Sequence, residues 1–320
     1  MTLITCMACN SGQEGGGSRS GLILPKATGR ISELLVVVEE SWKTGPAGTA
    51  LSSVFEKSMP GLPQDEPYFQ VIPIKPSAFS KIFRTHRNLV VIEAGDSNYI
   101  RFKKEAYARG QEVVLIQAKN QDDFVKLMQK EGQEVLRHLY ESELSRMRAG
   151  YKKLVDVGLN KKLKEMGMYI PIPKDFTPVI TDENFLWLRR ELPKGTQGIL
   201  VFKQKFRSDL QMRPSRILAL RDSLTKEQVK GEVDGSYMVT EYRYPTEVEN
   251  YVVDEMYGLK IKGLWKMEGD FMGGPFLSLA VHNEEKGEII FIDGFSYAPE
   301  MDKRNLSMQL EAILSGLELR

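Results

Sequence analysis

The chain has 320 residues, 42% hydrophobic and 27% charged, an ordinary globular balance that excludes collagen-like, coiled-coil and wholly disordered chains and suits about two domains. Basic residues number 44 against 43 acidic, a net charge of +1, so no whole-molecule field draws the chain to nucleic acid. Three histidines and two cysteines leave little room for metal or thiol chemistry, and no run of ~18 apolar residues exists to cross a bilayer as a helix.

Both cysteines, Cys6 and Cys9, lie at the start of the chain. Cys6-Met7-Ala8-Cys9 has the spacing of a thiolate pair, but zinc would need two further ligands and a redox pair a helix N-terminus. The Gly- and Ser-rich stretch that follows supplies neither. Leu3 to Ala8 reads instead as the end of an apolar signal segment, with a small residue directly before Cys9, as in a bacterial lipobox. There the cysteine becomes the lipidated first residue, and an upstream start would supply the missing basic segment. The residues after Cys9 have the composition of a flexible tether. The domains expected are therefore 1–29, leader and tether; 30–166, an N-terminal α/β half; and 167–320, a β-rich C-terminal half, the two halves able to form one unit.

Leu34-Leu35-Val36-Val37-Val38 reads as a strand buried on both faces. A short helix follows over 45–57, then an extended loop through Pro60, Pro63 and Pro67. The pattern continues with a strand at 69–74, a helix at 76–83, and strands at 88–94 and 112–118. From Asn120 to Glu165, apolar residues recur at threes and fours, a long central helix that Gly150 or Gly158 could interrupt. The second half reads as strands at 185–191 and 198–206, a helix from Pro214 to Leu224, and strands at 236–244, 259–268, 275–282 and 288–295. A closing amphipathic helix runs from Asp302 to Leu317. Alternation first and clustered strands later predict an α+β fold, with mixed and antiparallel sheets covered by helices.

His86, flanked by Arg84 and Arg87, lies between a helix and a buried strand, as a base or as a turn histidine bonding the backbone. No HExxH, GxSxG, P-loop or dinucleotide motif occurs, so no catalytic residue, metal or cofactor is assigned. In Asp270-Phe271-Met272-Gly273-Gly274-Pro275-Phe276, the glycines would let a partner approach the backbone, or simply make a tight turn into an edge strand. Asp293-Gly294 and Asp302-Lys303-Arg304 form a second polar cluster, with Asp302 placed to cap a helix. The residues expected at a ligand or partner site are Asp270, Gly273, Gly274, Asp293, Lys303 and Arg304, an apolar rim beside basic groups suiting an anionic or peptide ligand.

Several segments together resemble the Bacteroidota lipoproteins carrying the domain of unknown function numbered 4837. They include Pro60-Gly61-Leu62-Pro63-Gln64, Pro76 to Ile82 running into His86-Arg87-Asn88, Phe185 to Glu191, Gly263-Leu264-Trp265, Phe271 to Phe276 and Asp293-Gly294-Phe295. The resemblance implies an outer-membrane lipoprotein anchored through Cys9 and facing the periplasm, with no known activity. The leading expectation is a non-catalytic binding or structural component whose partners are the membrane, through its lipid, and an unidentified envelope protein or ligand. The alternatives are an envelope hydrolase using carboxylates such as Asp270 and Asp293, and a soluble cytoplasmic binding protein. An enzyme of that kind should bring two such carboxylates into one cavity.

Overall fold

Leu34 to Val38 are all buried, as an uninterrupted apolar run requires. The computed structural model describes residues 24–320, so Cys6, Cys9 and most of the tether lie outside the described residues. The run forms β1 (Glu33–Val37), in a five-stranded sheet with β2 (Gln70–Ile74), β3 (Asn88–Ala94), β4 (Tyr99–Lys104) and β5 (Glu112–Ala118). The spatial order is β2-β1-β3-β5-β4, all parallel except the antiparallel β4 edge.

Two helices cover one face of this sheet, α1 (Gly45–Phe55) directly and, after the four-residue α2 (Lys81–Arg84), the 31-residue α3 (Gln121–Tyr151). Val54 and Phe55 of α1 and Phe124, Met128 and Leu139 of α3 pack on Leu34, Val36, Val90 and Ile116. A Cβ on Gly132 would lie 2.5 Å from Val54 Cγ2, so glycine is what lets α1 and α3 touch there. Asn120 caps α3, its Oδ1 accepting the Asp123 amide at 2.9 Å.

The helical pattern from Asn120 to Glu165 is two helices. After α3 the chain turns, Val155 bridges to Pro173, and Asp156 Oδ1 accepts the Leu159 amide at 2.8 Å to start α4 (Val157–Glu165). Neither glycine makes the break, since Gly150 lies inside α3 and Gly158 inside the first turn of α4. The helix expected at 76–83 is a 3-10 turn, Pro76–Ala78, followed by α2, because the backbone goes extended at Ser80.

The second sheet is antiparallel and is built from β7 (Thr177–Thr181) onward, after the short β6 (Met168–Tyr169). Its other strands are β8 (Phe185–Leu192), β9 (Gly195–Lys205), β10 (Tyr237–Thr240), β11 (Glu247–Val253), β12 (Met256–Glu268), β13 (Gly273–Asn283) and β14 (Glu288–Tyr297). They order as β10-β12-β13-β14-β9-β8-β7, with β11 also on β12. Helix α5 (Pro214–Gln228) interrupts the strands, and α6 (Arg304–Leu314) precedes β15 (Glu318–Leu319), which pairs with β6. The expected α+β class, mixed and antiparallel sheets and long central helix are all present.

Strand alternation gives this sheet two apolar faces. One carries Leu186, Ile199, Leu277 and Ile292 against α4 and the Leu310, Ile313 and Leu314 side of α6. The opposite face carries Leu200, Ile261, Ala280 and Phe291 against Ile217 and Leu218 of α5. Met308 and Ala312 of α6 are buried in the core of the first sheet. Helix α6 therefore belongs to both cores.

Candidate functional site: an aromatic pocket on the α5 face

Residues two apart on a strand share a face, so Trp187 and Arg189 of β8, Trp265 and Met267 of β12, and Phe295 and Tyr297 of β14 all point to the side that α5 covers. The helix ends at Gln228, and the chain beyond it, Val229 to Glu232, skirts these side chains. A cavity of about 130 Å³ remains, closed on another side by Met272 from the turn between β12 and β13. The Trp265 ring stands edge-on to Phe295, with centroids 6.1 Å apart and an interplanar angle of 74°, and is tilted to Tyr297 at 6.3 Å.

The two tryptophans differ in their polar ends. Trp265 Nε1 donates to the Ser296 carbonyl at 3.1 Å. The Trp187 indole N–H is buried and has no acceptor among the described residues, an arrangement uncommon in native structures. Two cations line the pocket: Arg189, whose Nε lies 2.7 Å from Glu191, and Lys230, whose Nζ donates to the Lys226 carbonyl at 2.7 Å. Gly198, paired with Arg189 across the strands, leaves room for the Phe295 ring, which a Cβ there would meet.

The turn singled out in the sequence borders this pocket through Met272 alone. Phe271 is fully exposed, and Asp270 Oδ1 accepts the Phe271 amide at 2.7 Å on the same open turn. Gly273 and Gly274 pair with Lys266 and Trp265. At Gly274 the close approach within the chain is to the Ser296 carbonyl, which a Cβ would strike.

Asp293 is fully buried beneath α5, where Oδ1 accepts from Arg221 Nε at 3.0 Å and from Ser278 Oγ at 2.5 Å. Arg221 is equally buried, with its guanidinium 3.9 Å above the Phe276 ring. Burial raises the Asp293 carboxyl above its ordinary value, against the pull of Arg221 and Ser278. This is an internal ion pair, and Asp270 and Asp293 share no cavity.

Lys303 and Arg304 also fall elsewhere. Their amides donate to Glu66 Oε1 at 2.8 Å and Oε2 at 2.9 Å, and Arg304 Nη1 donates to the Pro67 carbonyl at 3.0 Å. Burial lowers the Arg304 guanidinium, opposed by Glu66. The carboxylate that caps α6 is thus Glu66, not Asp302. His86 fits the turn reading, with Nδ1 3.1 Å from the Asn88 carbonyl.

Two polar clusters carry no motif in the sequence. In one, buried Glu311 meets Lys260 Nζ at 3.1 Å, Lys262 Nζ at 3.0 Å and the Tyr140 hydroxyl at 2.5 Å. In the other, His138 Nε2 lies 2.8 Å from Glu112 Oε1, which with Ser142 and Arg146 lines an open polar cleft of about 550 Å³. Among the described residues no group of three or more His, Cys, Asp and Glu is placed to hold a metal, and no helix is long and apolar enough to cross a membrane.

Residues 157–316, half of the chain, match the family described as Domain of unknown function (DUF4837). The chain belongs to that family. Residues 27–152 match a second, Domain of unknown function (DUF8532). The family match spans α4 to α6 and so contains every wall of the aromatic pocket. No curated protein matches the chain by sequence. Among solved structures, a mutant of the protein Mog1 and the Saccharomyces cerevisiae Ran-binding protein Mog1p are each 10% identical, covering 48% of this chain and 90% of their own. Their TM-scores of 0.32 and 0.31 are too low to bear on function.

Proposed function

We propose that this chain is a binding component of the bacterial cell envelope, a lipoprotein held to the outer membrane through Cys9 and facing the periplasm. The observation that carries the binding role is the aromatic pocket, whose lining is mostly apolar with Arg189, Lys230 and Glu232 among it. Such a lining recognises a ligand by shape and apolar contact. The hydrolase alternative loses its motive, because Asp293 is committed to Arg221 and Asp270 to its own turn. The anchor rests on the small residue before Cys9 and the Gly/Ser-rich tether behind it. A single acyl chain binds membranes only marginally, so stable attachment needs the several chains of a bacterial lipid anchor.

The test is expression from the native gene in a bacterium with an outer membrane, with radiolabelled palmitate and membrane fractionation. Labelled protein in the outer-membrane fraction, lost on Cys9→Ala, supports the reading. Unlabelled wild type in the cytoplasm overturns the anchor. For the binding role, the wild type and Met272→Arg, which obstructs the pocket, are compared by cross-linking in intact cells. Cross-linked species that disappear with Met272→Arg support it, and identical patterns overturn a macromolecular partner at the pocket.

A further inference from the structure

We infer that the aromatic pocket takes one ring-sized apolar group bearing a carboxylate, either a free aryl carboxylic acid or the C-terminal aromatic residue of a peptide. This rests on the reading of the pocket as a binding site and names its ligand class.

Size sets the first limit. An apolar cavity of ~150 Å³ accommodates benzene, so the space of about 130 Å³ between Trp187, Trp265, Phe295, Tyr297 and Met272 fits one ring or one branched aliphatic group, not a sugar chain or a folded segment. The wall chemistry favours the ring. Aromatic side chains hold another ring edge-on or offset, and methionine adapts to its outline with sulfur–aromatic contact.

The polar groups set the second limit. Trp187 lines the cavity and its Nε1 has no acceptor among the described residues, which leaves this donor available to an oxygen on the bound group. Four aromatic faces would also suit a cation, as in a cage for quaternary ammonium. The lining favours an anion instead: Arg189 and Lys230 both contribute to it, with Glu232 the acid in the lining. An anionic oxygen satisfies both the indole N–H and the positive rim. Arg189 is half-exposed and bound on one side to Glu191, so its planar guanidinium keeps further donors for a carboxylate.

Trp187 and Trp265 are two of the three tryptophans in the chain, so intrinsic fluorescence reports occupancy directly. The probes are 3-phenylpropionate, a hexapeptide ending in Phe with a free carboxylate, the same peptide amidated, and phenylethylammonium. Both acids are expected to bind the full chain saturably, the cation not at all. Binding of only the free acid or only the carboxyl-terminal peptide identifies the source. Trp187→Phe keeps the ring and removes the donor, and about tenfold weaker binding of the acids is expected, the loss of one hydrogen bond to a charged group. Arg189→Glu is expected to weaken them similarly without changing the melting temperature. Equal binding of the acid and the ammonium, unchanged affinity in Trp187→Phe, or no response to either acid overturns the ligand class. Cross-links in cells that still depend on Met272 in that last case leave the binding role standing and move the error to the ligand.

Discussion

Glu66 Oε1 accepts the Lys303 amide at 2.8 Å across 237 residues of chain, and Oε2 accepts the Arg304 amide at 2.9 Å. One carboxylate from the proline-rich loop of the first half thus satisfies two of the orphan donors at the start of α6 and faces its positive end. Because α6 contributes to both cores, this cap fixes the helix that joins them. Glu66→Ala is expected to cost about 1–2 kcal/mol in denaturant unfolding, the upper part of the range for a helix cap. Glu66→Gln should cost less, since the amide oxygen still accepts one bond. Lys303→Glu with Arg304→Glu places two more carboxylates beside Glu66 and is expected to destabilise further, the opposite of what solvent-facing ligand contacts would do.

The buried Glu311 predicts an acid limb in stability. Burial alone would raise its carboxyl, but Lys262, Lys260 and the Tyr140 hydroxyl outweigh it and hold the group at about 2, below its ordinary 4.5. A depressed folded value means the contribution is fully present above the unfolded value near 4.5 and is lost as pH falls from there towards 2. The size is on the order of 3 kcal/mol. Asp293, pushed up by burial, works in the opposite direction, its effect lying above its ordinary 3.8 rather than below it. Unfolding free energy measured from pH 7 to pH 3 should therefore fall less steeply in Glu311→Gln than in the wild type. Parallel curves for the two proteins would mean that Glu311 does not titrate with the fold.

What could be read in the sequence follows from how local its cause is. The apolar runs of β1, β3 and β5 stand in consecutive residues, and each forms where expected. Strands β4, β7 and β11 were missed because they are mostly exposed edges with no apolar run to mark them. The pocket was visible only at its border, in the turn containing Met272. Its walls come from β8, β12 and β14, and no spacing in the chain records that Trp187 and Trp265 face each other's cavity. Asp293 looked like a free carboxylate because its neighbour Arg221 lies 72 residues away on a helix.

The Arg221–Asp293 pair gives a test that separates structure from chemistry. Asp293→Ala leaves a fully buried guanidinium with only Asp222, 3.8 Å from Nη1, as counter-charge, and the expected loss is about 3 kcal/mol. Replacing both, Arg221→Met with Asp293→Leu, removes the uncompensated charge and should recover most of that loss. The measurement is a denaturant series on the wild type, the single and the double variant. A single variant of wild-type stability would show that the pair is not formed and would return Asp293 to the pool of available carboxylates.

Gly198 offers a way to shut the pocket from within. A Cβ on Gly198 would overlap the outer atoms of the Phe295 ring, which is also a wall of the cavity. The ring is a side chain and can move, whereas the contact that forbids a Cβ on Gly274 is with the Ser296 backbone. Gly198→Ala is therefore expected to displace Phe295 into the space between Trp187 and Trp265, at an overpacking cost of about 1–3 kcal/mol. Gly274→Ala should cost at least as much, because β13 and β14 must separate instead. The two variants part in fluorescence titration with 3-phenylpropionate. Gly198→Ala should lose binding while remaining folded by near-ultraviolet circular dichroism. Full affinity in a folded Gly198→Ala would place the ligand away from Phe295 and overturn this account of the pocket wall.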